Sequence, residues 1–267
     1  MLVNEIASLL TSVRDRQPLI HNITNQVVTN FTANGLLAMG ASPVMANAEE
    51  EAADMAAVAD ALVLNIGTLT TPQVNAMLKA GQAANQKGVP VVFDPVGVGA
   101  TSFRNMVALR ILEEIDVSLI RGNAGEIAFL AGADAEMKGV DSAFQGDGRR
   151  IAVEAAKQLE TAVVLTGEED VITDGNSLYL CGNGHQLQTK ITGAGCLLSS
   201  VTAAFLAVGG DKLSAAAAAV SYYGTAAEFA ASASDGPGGF QSAFLDALYQ
   251  VEEEGWRKKM QLKRVDG

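Results

Sequence analysis

Only two cysteines, Cys181 and Cys196, occur in the 267 residues. They are too few and too far apart for a disulfide framework or a thiolate metal site, so a reducing compartment is the default. The two histidines, His21 and His185, come without a Ser/Asp pattern around them and read as structural or surface residues. Aromatic residues make up only 5% of the chain, and the weight of alanine and glycine fits helices packed closely on a sheet. Positive charge is scarce: 18 Lys and Arg stand against 30 Asp and Glu, a net charge of -12. That balance argues against a nucleic-acid backbone or an anionic membrane as partner. A nucleotide stays possible through helix N-termini, a few placed cations and a divalent metal. The start, MLVNEI, lacks the basic and apolar regions of a secretory signal. The alanine-rich stretch 213–227 is too short and too weakly apolar to span a bilayer and reads as a buried helix. The expectation is a soluble, cytoplasmic protein.

Hydrophobic content of 49% over this length supports one large core. Continuously apolar runs at 18–22, 61–66, 89–93, 117–120 and 162–165 predict strands of a sheet buried on both faces. Helical patterns at 26–38, 49–59, 72–87, 103–114, 124–131 and 149–160 lie between them. This alternation predicts an α/β fold with a mainly parallel sheet. Two short strands joined at Asp174-Gly-Asn form a hairpin over 171–181, and a further turn follows at 182–184. The C-terminal third then reads as almost wholly helical, with the loop 235–239 separating two helices. The polar segment 134–148 reads as a surface loop and Glu49, Glu50 and Glu51 as an acidic first helical turn. A single domain over 1–267 is expected.

In an open parallel sheet, ligands bind beyond the carboxyl ends of the strands. Each strand here delivers polar or glycine residues as it leaves the core: Asn65, Gly67 and Thr68; Asp94 and Gly97; Arg121, Asn123 and Glu126; Thr166 and Gly167. Asp94 and Glu126 are the candidate magnesium ligands, since that ion needs few protein oxygens beside waters and phosphates. Asp94 equally suits a turn before proline, and Glu126 a first-turn acid favoured by its helix dipole. Arg121 suits a bidentate phosphate contact or an ordinary ion pair. Thr166 suits a phosphate or a plain turn.

The run TGAGC at 192–196, followed by a long apolar helix, aims free backbone amides and a helix N-terminus at one point. The amides of Gly193, Ala194, Gly195 and Cys196 form a candidate anion hole. Cys196 is a candidate reactive thiol, because the same dipole favours a thiolate. A simple glycine turn beside a buried cysteine is the other reading.

The chain resembles the hydroxyethylthiazole kinase family, a thiamine-salvage branch of the ribokinase-like superfamily. The resemblance rests on HNITNQVVTNFTANG at 21–35, GASPVMA at 40–46, LNIGT at 64–68, DPVG at 94–97, RGN at 121–123 with Glu126, TGE at 166–168 and TGAGC at 192–196. It covers essentially the whole chain. It implies a three-layer ribokinase-like sandwich without a separate lid domain. It also implies ATP- and magnesium-dependent phosphorylation of the primary alcohol of 4-methyl-5-(2-hydroxyethyl)thiazole. By this resemblance the ATP side takes Arg121, Thr166 and Asn123 with the Ala194 and Gly195 amides, and magnesium takes Asp94 and Glu126. The thiazole side takes Met45 and Gly193, with Asn25, Val27, Gly67 and Thr68 nearby. Members assemble as homotrimers with substrate pockets between subunits. Most of the superfamily carries aspartate as general base where this chain has Cys196, and the thiazole kinases share that cysteine. Its strength as a base stays open, since an approaching phosphate opposes ionisation of the thiol. Alternatives are a kinase of a pyrimidine or pyridine alcohol, an ATP-dependent dehydratase of a damaged nicotinamide cofactor, and a non-catalytic nucleotide sensor.

Overall fold

The computed structural model describes residues 2–132 and 148–266, so 134–147 of the expected surface loop lie outside the described residues. In chain order the elements begin with α1 (Leu2–Arg16), β1 (Leu19–Ile23), α2 (Thr29–Met39), β2 (Ser42–Val44), α3 (Ala52–Val58), β3 (Ala61–Asn65) and α4 (Thr71–Lys87). There follow β4 (Val91–Asp94), α5 (Ser102–Glu114), β5 (Leu119–Asn123), α6 (Ala124–Leu130), α7 (Gly148–Gln158), β6 (Ala162–Thr166), β7 (Asp170–Thr173) and β8 (Ser177–Cys181). A 3-10 turn, Gln186–Lys190, then leads into α8 (Ala194–Ala207), α9 (Lys212–Ser232), α10 (Pro237–Gln250), α11 (Glu253–Lys259) and β9 (Leu262–Asp266).

All of these strands join one nine-stranded sheet in the order β2-β1-β3-β4-β5-β6-β7-β8-β9. The strands from β2 to β6 in that order are parallel, and the last three are antiparallel. Side chains alternate between faces along each strand. Val63, Val92, Leu119 and Val164 therefore enter a core with α1, α2, α8, α9, α10 and α11. Leu62, Leu64, Val91, Phe93, Ile120, Val163 and Leu165 enter a second core with α3 to α7. Both faces are covered, which is why these strands are apolar on both faces until their carboxyl ends. The result is a three-layer sandwich, and no described strand lies in a separate lid.

The expected strands and helices occur within a few residues of their predicted bounds, and the hairpin turns at Asp174, whose carboxylate accepts from the Asn176 and Ser177 amides. Three features differ. The C-terminal third is not wholly helical, because β9 closes the sheet against β8. Leu262 and Val265 fall on opposite faces of β9, each against one of the two cores, and the charged Lys263 and Arg264 between them suit an edge strand. The short β2, with a proline at its centre, forms the opposite edge. Glu49 and Glu50 lie in the turn ahead of α3, with Glu51 as its N-cap.

Helix α8 carries the TGAGC turn and crosses the middle of the sheet. Phe205, Tyr222 and Trp256 anchor it to α9 and α11, with ring centroids 5.7–6.2 Å apart. Each such aromatic pair contributes about 0.5–1.5 kcal/mol beyond its buried area. The Tyr223 hydroxyl donates to the Ala194 carbonyl at 2.6 Å, tying the first turn of α8 to α9.

Candidate active site

Gly193 is the N-cap of α8, with φ +90. That left-handed conformation favours glycine, and a Cβ there would also press on Val28 and Phe31 at 3.0–3.1 Å. No side chain caps this helix end. Its first helical bond runs from the Leu197 amide to the Gly193 carbonyl (2.8 Å). The amides of Ala194, Gly195 and Cys196 therefore have no partner within the helix. They point where the helix dipole favours an anion.

Gly195 is there for a different reason, namely space. A Cβ on it would lie 2.6 Å from Nη1 and 2.8 Å from Nη2 of Arg121, so the guanidinium rests against the first turn of α8. Arg121 Nη2 donates to Thr166 Oγ1 at 2.9 Å, and Nη1 lies 3.8 Å from Asp94 Oδ1. The β5–β6 pairing, with Arg121 opposite Val164, sets this arrangement.

Asp94 closes β4 and is fully buried. Its Oδ2 accepts from Asn65 Nδ2 and from Ser199 Oγ, both at 2.8 Å. Its Oδ1 is buried without a hydrogen-bond partner. Burial holds this carboxyl above the ordinary range, and the Arg121 charge opposes the shift. Glu126 accepts from the Gly97 amide (2.8 Å) through Oε1 and from the Asn123 amide (2.9 Å) through Oε2. Asn123 Oδ1 in turn accepts from the Glu126 amide (2.9 Å), completing a capping box on α6. The helix-start role expected for Glu126 is thus realised. Its oxygens keep lone pairs beyond the two amide bonds. An unused buried oxygen on Asp94 beside a second carboxylate fits magnesium, which takes one or two protein oxygens and completes its shell from phosphates and water. Among the described residues no cluster of three acidic, histidine or cysteine side chains forms a closed metal cage.

Cys196 is partly buried, and Asn25 Nδ2 donates to its sulfur at 3.4 Å. Asn25 Nδ2 also donates to Asn65 Oδ1 (3.0 Å), which in turn accepts from the Gly67 amide (2.9 Å). A polar chain thereby links Cys196, Asn25, Asn65 and Asp94. Thr68 Oγ1 accepts from the Gln26 amide (3.0 Å) and pins the two loops together. Burial first, and then the Asp94 charge, push the Cys196 thiol up to about 11. Desolvation thus works against the thiolate that the helix dipole favours.

The structure therefore brings together Asn25, Gly67, Thr68, Asp94, Arg121, Asn123, Glu126, Thr166, Gly193, Ala194, Gly195 and Cys196. Two predicted residues stand at the rim. Val27 is 65% exposed, and Met45 is partly buried after the edge strand β2. The neighbouring Ala46 carbonyl bonds His21 Nε2 at 2.8 Å, so His21 is structural as expected. His185 caps the 3-10 turn through Nδ1, and Cys181 is packed in the core.

Sequence reasoning assigned no role to Asn65, Ser199, Asp170 or Arg104. Ser199 had a signal, being one of three hydroxyl residues, with Ser200 and Thr202, in a mostly apolar helix and one turn beyond Cys196. Asp170 accepts from the Gly167 amide at 2.9 Å, and burial pushes its carboxyl up to about 6.

The hydroxyethylthiazole kinase family model matches residues 10–254. The chain belongs to the hydroxyethylthiazole kinase family. It is accordingly a kinase. A hydroxyethylthiazole kinase from Pyrococcus horikoshii OT3 is 43% identical over 98% of this chain and 99% of that one, with a TM-score of 0.91. Two more distant structures share the fold alone. Pyridoxal kinase from Staphylococcus aureus, in complex with AMP-PCP and pyridoxal, is 16% identical over 93% of this chain and 98% of that one, with a TM-score of 0.65. A ribokinase-like superfamily protein from Enterococcus faecalis V583 is 14% identical over 88% and 87%, with a TM-score of 0.61. The fold expected from the family resemblance is the one observed.

Proposed function

We propose that this kinase transfers the γ-phosphoryl group of ATP to the primary alcohol of a hydroxyethylthiazole, as the family name implies. The observation that carries the reading is the meeting of the free amides of α8, the Arg121 guanidinium and the Asn25–Cys196 pair at one point. The alcohol oxygen forms the new bond to phosphorus and gives up its proton to Cys196 or to water, the bond to the β-phosphate oxygen breaks, and ADP leaves. The Ala194, Gly195 and Cys196 amides stabilise charge on the transferred group, where preorganised donors are most effective. Arg121, held by Thr166 and Gly195, steadies the phosphates, with Asn123 at the same strand ends. Asp94 and Glu126 would hold magnesium, which neutralises and orients the phosphate oxygens.

On the alcohol side, Gly193, Gly67 and Thr68 shape the pocket with Asn25, while Val27 and Met45 supply apolar surface at its rim. Cys196 touches the reacting hydroxyl. With its thiol pushed up to about 11, it is a weak base in the free enzyme. Positioning and charge neutralisation therefore supply most of the rate, as phosphoryl transfer allows.

We further infer a single-domain, cytoplasmic enzyme that assembles as a homotrimer with its pockets between subunits. The continuous sheet and the free cysteines support the first two parts. Among the described residues no helix is long and apolar enough to cross a membrane. The exposed Val27 beside the substrate loop supports a shared pocket. Coupled ADP release measured across thiazole, pyrimidine and pyridine alcohols tests the substrate. The thiazole alcohol should give the highest kcat/KM, and preference for either other class overturns the assignment.

A further inference from the structure

Arg104 is placed against the local electrostatics of its own helix. It is the third helical residue of α5, where its amide donates to the Thr101 cap, and no acid accompanies it in that turn. A cation at a helix N-terminus is disfavoured by the dipole. Among the described residues none of the ion pairs within 4 Å includes it.

The guanidinium instead serves backbone carbonyls from two loops. Nη1 donates to the Ile66 carbonyl at 2.6 Å and the Val96 carbonyl at 2.5 Å, and Nη2 donates to the Gly67 carbonyl at 2.7 Å. The β3–β4 ladder ends where Asn65 pairs with Asp94, followed by one bond from the Ile66 amide to the Asp94 carbonyl. Beyond that point Arg104 bridges the two chains. The carbonyls it holds belong to functionally different loops. The 66–68 loop packs Gly67 against Asn25 and bonds Gln26 through Thr68. The 94–97 loop carries Asp94 and sends the Gly97 amide to Glu126.

We propose that Arg104 is a positioning residue that sets the spacing between the alcohol loop and the Asp94–Glu126 side. This inference rests on the assignment of those two sides given above. A planar fork can serve both loops at once, whereas the ammonium point charge of lysine cannot hold three carbonyls in that plane. Small misplacements of reacting groups cost up to roughly 100-fold in rate.

The test measures kcat, both KM values and Tm for Arg104→Lys and Arg104→Ala, with methylguanidinium added to the alanine variant. The expected result for Arg104→Lys is a kcat reduced about 10- to 100-fold, with both KM values and Tm little changed. Added methylguanidinium should restore part of the kcat of Arg104→Ala. A lysine variant with kcat within about twofold of wild type overturns the proposal. So does a lowered Tm with unchanged kcat in the folded protein, the mark of a merely structural arginine. If Arg104→Ala does not fold, Arg104→Lys decides alone. Wild type is run beside the variants on the same alcohol panel. A preference for another alcohol then overturns the substrate assignment, and the Arg104 comparison is made on that alcohol.

Discussion

Cys196 and Asp170 both have their acidity reset by burial, with opposite consequences at neutral pH. A thiol pushed up to about 11 is almost fully protonated at pH 7, so its loss as a base should be mild. Cys196→Ser is expected to lower kcat no more than about 100-fold, at the low end of general-base effects. Cys196→Asp, with a stronger acceptor in the same place, should retain or exceed wild-type kcat; a folded, ATP-binding but inactive variant would rule out a proton acceptor there. The Asp170 carboxyl, raised to about 6 by burial, is ionised at pH 7 at a cost to the fold. Stability from such a raised group is complete below the ordinary carboxylate pKa and is lost as pH rises through about 6. Asp170→Asn stays neutral and can still accept from the Gly167 amide. It should gain about 1–2 kcal/mol at pH 7.5, discounted for partial exposure, and much less at pH 4. Urea denaturation at the two pH values measures the gap, and an equal gap at both would dismiss burial of charge as its source.

At the level of elements, α8 separates what stabilises the molecule from what makes it work. Gly195 lies in ordinary helical backbone, so alanine should favour the helix by about 0.4–1 kcal/mol. Its methyl group, however, would displace the Arg121 guanidinium, whose nitrogens lie 2.6 and 2.8 Å from that Cβ position. Gly195→Ala is therefore expected to keep or raise Tm while lowering kcat/KM for ATP at least about tenfold, a cost typical of misplaced positioning groups. Thermal melts and ATP kinetics on one preparation check both halves, and unchanged kinetics would remove Arg121 from the phosphate side. The same division explains what could be read from the sequence. Strand ends were legible because apolar runs broke abruptly into Asn65, Asp94, Arg121 and Thr166, where the fold places ligands. Arg104 was not, because its partners Ile66 and Gly67 lie more than thirty residues away and are backbone carbonyls, which leave no mark in sequence. β2 was hidden by having three residues and a proline, and only its pairing with β1 identifies it.

The whole molecule presents the loop proposed for the alcohol at a surface that the isolated chain leaves uncovered. Val27 is 65% exposed beside Asn25, and Leu37, on the helix that follows, is 60% exposed. Apolar side chains of this size are ordinary on a surface when scattered, but beside a binding loop they suit contact with another subunit. Neither the two cores nor the sheet order points to a partner, so the proposed trimer rests on the family resemblance and on these exposed side chains alone. If the pocket is shared, assembly and activity must fall together on dilution. Sedimentation should give three times the 27.6 kDa chain mass. Val27→Glu, which puts a charge where apolar contact is expected, should shift the distribution toward monomer and raise KM for the alcohol more than for ATP. Its Tm as a monomer should match that of dissociated wild type, since an exposed side chain contributes little to the fold. A monomer with full alcohol affinity would show that one chain completes the pocket, leaving Val27 an ordinary surface valine.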